Sequence, residues 1–124
     1  MISGIGVDLI EVDRVEEKLK RTPGLKEKLF TSLEIAYCES KHSPALHYAA
    51  RFAAKEAFMK ALGTGWSGGV KFSEVEIRNL ETGQPVLELF GRAKEIFESK
   101  GLSRAHVSLS HLKTYAVAIV ILEK

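Results

Sequence analysis

The chain has a single cysteine, Cys38, in 124 residues. One thiol cannot close an internal disulfide, and it offers no zinc-site spacing. No charge of one sign dominates: 18 Lys and Arg stand against 16 Asp and Glu, a net charge of +2. So weak a basic balance gives no ground for a nucleic-acid partner. No apolar run is long enough to span a bilayer. The opening MISGIGVDLIEVD lacks the basic region and long apolar run of a signal peptide. A cytoplasmic protein is the simplest expectation, with no membrane partner. Internal repeats, linkers and low-complexity segments are missing as well. The chain therefore reads as one domain over residues 1–124, long enough to bury a modest core. Hydrophobic residues at 45% and charged ones at 27% are ordinary for a globular protein.

What is present is organised around SPALHYAARFAAKEAFMKALGTG, residues 43–65. Ser43 is a good N-cap and Pro44 suits the first helical position. Gly63 can take the left-handed conformation that stops a helix. Between them lie strong helix formers, with alanine at 49, 50, 53, 54 and 57. Apolar residues fall on nearly every face, which is the pattern of a buried helix. Yet Arg51, Lys55, Glu56 and Lys60 belong to it too. Buried charges need partners, a metal or a wet cleft. One part of this helix is therefore expected to border a charged site.

Around it the chain alternates short elements. Residues 2–8 read as a strand with Ile5 and Val7 on one face. Gly4 and Gly6 share the other face, which predicts close approach of a neighbour there. Asp13 and Glu16 have capping-box spacing and predict the start of a basic helix that ends at Pro23. Its Arg14, Lys18, Lys20 and Arg21 form either a solvated face or a dock for an acidic partner. A short helical turn is expected at 25–30, and Thr31 with Glu34 caps another helix. Cys38 in that helix reads as a packing residue. TGWSGG after the central helix is a flexible loop whose amides could cradle phosphate. Trp66 in it reads as a cover on the core rather than a stacking platform. EVEIRN and VLELF predict a hairpin turning near Thr82-Gly83, with Glu76 and Arg78 on a wet face. A helix stopped by Gly101, the strand AHVSLS, a turn HLKT and the doubly apolar strand YAVAIVIL complete the chain. The last needs cover on both sides, from helices or from another subunit. The fold class is α+β, a mostly antiparallel sheet packed on a long central helix, with self-association plausible.

The candidate chemistry sits on Asp8, Glu56 and Lys60. Glu56 and Lys60 are four apart on one helix face, with Phe52 a turn earlier. Taken alone, that spacing favours an ordinary intrahelical ion pair. Asp8, however, ends a strand that must pack near the same helix, and a glycine-rich loop follows Lys60. Two carboxylates without a His or Cys cluster suit a hard cation such as magnesium. Lys60 can add a point charge for phosphate oxygens. His111 at a strand end is by itself an unremarkable hydrogen-bonding residue, and Ser108 and Ser110 lack the partners of a nucleophile.

GVDLIEVDR at 6–14, RFAAKEAFMKALGTG at 51–65 and VSLSH at 107–111 together resemble the holo-acyl-carrier-protein synthase family, the small trimeric 4′-phosphopantetheinyl transferases. The blocks follow the family's order and roughly its spacing. The resemblance implies the 4′-phosphopantetheinyl transferase fold. It implies transfer of the phosphopantetheine arm of coenzyme A to a serine of apo acyl carrier protein, releasing adenosine 3′,5′-bisphosphate, in fatty acid biosynthesis. It implies magnesium, with Asp8 and Glu56 as ligands, Lys60 on the pyrophosphate, and Glu56, directly or through water, as the base. Gly63, Gly65 and His111 fall where the family holds coenzyme A. Arg14 and Arg21 lie on the helix that resembles the dock for the acidic carrier protein. A homotrimer with active sites between subunits is implied too, and would cover YAVAIVIL. Two other readings are kept. One is a non-catalytic binder of nucleotide or carrier protein, for which two carboxylates beside a phosphate have no use. The other is a structural trimer in which Glu56 and Lys60 merely pair.

Overall fold

A computed structural model describes all residues, 1–124. The elements in order are β1 (Ile2–Glu11), α1 (Val12–Arg21), α2 (Leu25–Leu29), α3 (Ser32–Glu39), α4 (Pro44–Leu62), β2 (Val75–Asn79), β3 (Pro85–Leu89), α5 (Gly91–Ser99), β4 (Arg104–His111) and β5 (Tyr115–Glu123). Short 3-10 turns at Gly65–Gly68 and Phe72–Glu74 join α4 to β2. One antiparallel sheet has the order β1-β5-β4, and β2 pairs with β3 as a separate antiparallel hairpin. The α+β architecture is as the pattern predicts. No helix is long and apolar enough to cross a membrane.

Helix α4 runs across one face of the three-stranded sheet. Gly63 stops it at φ 81°, and Pro44 opens it. Ser43 makes no side-chain cap bond, so the proline and the preceding turn start the helix unaided. Ala53, Ala54 and Ala57 are fully buried, together with Phe58, Met59 and Leu62. They meet Ala118, Val120 and Leu122 of β5 and Val75 and Ile77 of β2 in the larger core. A smaller core gathers Val12, Val15, Phe30, Cys38, Tyr48 and Ala116. Burial pushes the Cys38 thiol up to about 12, so it is protonated and inert, a packing residue as the sequence implies.

The neighbour that approaches Gly4 and Gly6 is the backbone of α4. A Cβ on Gly4 would overlap the carbonyl oxygen of Ala61, and one on Gly6 that of Ala57. Strand β1 also runs three residues beyond the expected Asp8 and enters α1 directly. The capping box expected at Asp13 is therefore absent. Glu11 is the N-cap and makes no side-chain bond. The first helical amide, of Val12, donates instead to the Thr114 carbonyl in the β4–β5 turn at 2.9 Å. A distant turn does the work that the local spacing seemed to promise. The Thr31–Glu34 capping box is present in full.

The sheet face away from α4 is exposed. Ile5, Val7 and Leu9 are 61%, 55% and 65% exposed. They stand opposite Ile121, Ile119 and Val117 of β5 in the ladder, so the apolar strip is two strands wide. On β4 the same face turns polar with His106, Ser108 and Ser110. One side of YAVAIVIL is thus covered by α4, and the other is uncovered in a single chain.

Candidate active site

Asp8 and Glu56 line one cleft of about 260 Å³, with Leu9, Ile10, Phe52, Leu25 and Leu29 as its apolar walls and Arg14 and Lys18 among its polar ones. Strand pleat explains Asp8: it shares the face of Gly4 and Gly6, toward α4. Helix period explains Glu56: it lies one turn after Phe52, on the side that meets β1 and α1. Lys60 lies one turn further on.

Lys60 does not pair with Glu56, as spacing alone would favour. Its ammonium donates to Asp8 Oδ1 at 3.1 Å and to the Val7 carbonyl at 3.0 Å. Glu56 instead accepts the indole N–H of Trp66 on Oε2 at 3.3 Å. Asp8 Oδ2 and Glu56 Oε1 have no protein donors. The Asp8 side chain is 17% exposed and that of Lys60 56%, so the carboxylate is sheltered while the ammonium remains wet. Such an arrangement can hold a cation between two carboxylates and place a positive charge beside it.

The other charges of α4 do not join this cleft. Lys55, fully buried, donates to Glu34 Oε1 at 2.8 Å, to the Phe72 carbonyl at 3.0 Å and to the Val75 carbonyl at 2.6 Å. Burial pulls its ammonium below the usual lysine range, and Glu34 opposes that pull. Arg51 is buried against the Tyr37 ring at 4.0 Å and bonds Asn79. These two charges hold the fold. Glu76, expected on a wet face, is buried and accepts the Thr31 hydroxyl at 2.6 Å. Its neighbour Arg78 is exposed as expected.

His111 lines a separate hollow with Ser110, Leu112, Tyr115 and Val117, which touches the Asp8 cleft through the shared Leu9. Its ring meets that of His47 edge-on at 5.4 Å. Burial, then His111, Arg51 and Lys41, keeps His47 below the usual histidine range. Gly63 and Gly65 both have left-handed φ, 81° and 62°, and are exposed at the end of α4. Arg14 opens α1 at the cleft, whereas Arg21 ends α1 bonded to Glu17 at 3.2 Å. Trp66 covers the core as expected, and its indole also stacks on Phe72 at 3.8 Å and reaches Glu56, a contact that no local spacing announces.

A superfamily of proteins described as 4′-phosphopantetheinyl transferases matches residues 4–120. A holo-[acyl-carrier-protein] synthase of Syntrophus aciditrophicus is 48% identical over 124 residues, 99% of this chain and 97% of that one. Among solved structures, the synthase of Neisseria meningitidis superposes with a TM-score of 0.91 at 33% identity, covering all of both chains. That of Bacillus anthracis, in complex with coenzyme A (3′,5′-ADP), gives a TM-score of 0.82 at 36% identity and covers 100% of this chain and 98% of that one.

Proposed function

This chain belongs to the 4′-phosphopantetheinyl transferase superfamily, and on that premise we propose that it transfers the 4′-phosphopantetheine group of coenzyme A to a serine of apo acyl carrier protein. Adenosine 3′,5′-bisphosphate is released, and the step serves fatty acid biosynthesis. A cytoplasmic location goes with that reading. The observation that carries it is that Asp8 and Glu56 line one sheltered cleft, with the Lys60 ammonium bonded to Asp8.

In the reaction the serine oxygen attacks the β-phosphorus of coenzyme A, and the bond from that phosphorus to the leaving bisphosphate oxygen breaks. Glu56 takes the serine proton, directly or through a water, in a cleft whose apolar walls limit competing hydrolysis. The Lys60 ammonium, held over Asp8, offsets the charge that builds on the bisphosphate. Asp8 and Glu56 fit a magnesium ion: each keeps one oxygen free of protein donors, and an all-oxygen pair suits a hard cation that retains waters. When bound, magnesium supplies charge neutralisation to the pyrophosphate. Gly63, Gly65 and His111 are assigned to coenzyme A. His111 lies in a hollow that meets the cleft of its own chain only at Leu9, which fits a site shared between neighbouring subunits.

That sharing fits the apolar strip of Ile5, Val7 and Leu9, three neighbouring side chains each more than half exposed. A second and third copy are the proposed cover, and light scattering should return the mass of three chains. A monomer at micromolar concentration would remove the shared-site reading. Arg14 and Arg21 are assigned to the acidic carrier protein, with Arg14 beside the cleft. Arg14→Ala should raise KM for the carrier about fivefold and leave that for coenzyme A nearly unchanged. Equal effects on both would argue against docking there. The test of the activity itself is incubation with apo carrier protein, coenzyme A and magnesium, followed by intact mass of the carrier. A carrier that gains no phosphopantetheine overturns the proposal.

A further inference from the structure

Glu56 has to present one carboxylate oxygen to the cleft, and a glutamate on a helix has freely turning torsions unless something holds it. The structure contains a holder. The Trp66 indole N–H donates to Glu56 Oε2 at 3.3 Å. Indole nitrogen can only donate, so this contact engages one carboxylate oxygen and leaves the other without a protein donor.

The indole is itself fixed from behind. It stacks on the Phe72 ring at 3.8 Å with planes 18° apart. Phe72 stacks in turn on Phe52, at 5.6 Å and 9°. Phe52 lies one turn before Glu56 on α4 and forms part of the cleft wall. The contacts therefore close a ring, from α4 through three aromatic side chains and back to α4. Phe72 has a second anchor, since its carbonyl accepts from the fully buried ammonium of Lys55, the residue next to Glu56. The segment carrying Trp66 is glycine-rich, with Gly65, Gly68 and Gly69 around it, and is tied further by Arg92, which donates to the Gly68 carbonyl at 3.1 Å.

We propose that Trp66 is a positioning residue: it fixes the rotamer of Glu56 so that the free carboxylate oxygen faces the cleft. The proposal rests on the catalytic reading of Glu56 given above. A tryptophan that merely covered the core would need only its ring. A positioning tryptophan needs its N–H. Trp66→Phe separates the two, because phenylalanine keeps the stack on Phe72 and removes the donor.

Trp66→Phe should lower kcat about tenfold, the usual worth of a hydrogen bond to a charged group, with KM for both substrates within about twofold and thermal melting unchanged. Trp66 is also the only tryptophan in the chain. Its emission in the ligand-free protein therefore reads the same contact without any turnover. Glu56→Ala should shift the emission spectrum or lifetime of that single indole. A kcat for Trp66→Phe equal to that of the parent overturns the proposal. So does an emission unchanged by Glu56→Ala. A parent protein that fails to modify the carrier would count against the catalytic reading instead, and the emission comparison would still decide whether Trp66 holds Glu56. Should Trp66→Phe melt early, the emission arm decides alone.

Discussion

Glu34→Ala is expected to cost about 3–5 kcal/mol of stability, the usual penalty for leaving a buried charge without its partner. Glu34 is fully buried and satisfies three donors. Its Oε1 accepts from the Thr31 amide at 2.9 Å and from Lys55 at 2.8 Å, and its Oε2 accepts from the Ile77 amide at 2.9 Å. One side chain thus caps α3, neutralises α4 and pins β2. Its loss strands an ammonium already pressed by burial, and orphans two amides. In a domain of this size the melting temperature should fall by roughly 10–20 °C. Denaturant titration measures the free energy directly, and a loss under about 1 kcal/mol would mean that water or a rearranged lysine replaces the pair. Activity at low temperature should survive in the folded fraction, because no atom of Glu34 lines the cleft.

Glu56→Gln is expected to behave in the opposite way. The amide keeps the shape and can still accept the Trp66 N–H, so folding should be nearly unaffected. It cannot take a proton, and it is a poor ligand for a hard cation. General-base loss alone accounts for about a hundredfold or more in turnover. The rate of carrier modification by mass spectrometry, at saturating coenzyme A, checks this. An active variant that no longer needs magnesium would refute both roles assigned to Glu56.

The two residues also show what a sequence can and cannot tell. Local rules found the extent of α4, the Thr31–Glu34 capping box, the hairpin and the tight side of β1, because each depends on residues within a few positions. The same capping box concealed the second role of Glu34. Nothing in its spacing points to Lys55, which is 21 residues away in the chain. Lys55 likewise looked like one more charge bordering the site until packing placed it in the interior. Glu56 and Lys60 invited an intrahelical pair, and Asp8, 52 residues away from Lys60, won the lysine. Asp13 lost its expected cap role to Thr114 in the same way. The candidate site was legible as three residue types on two elements, and the resemblance of three short blocks gave each a proposed role. Which oxygen bonds which donor was not legible, since that follows from tertiary approach.

That approach is set at Gly4 and Gly6, where main chain lies on main chain with no side chain between. A seam of this kind has no slack to repack. Slipping β1 by one residue would bring Ser3, Ile5 or Val7 to places that admit only a hydrogen atom, so the strand has one permitted setting along the helix. The spacing between the acid on the strand and the acid on the helix is therefore inherited from polypeptide dimensions, and solvent or nearby side chains have little hold over it.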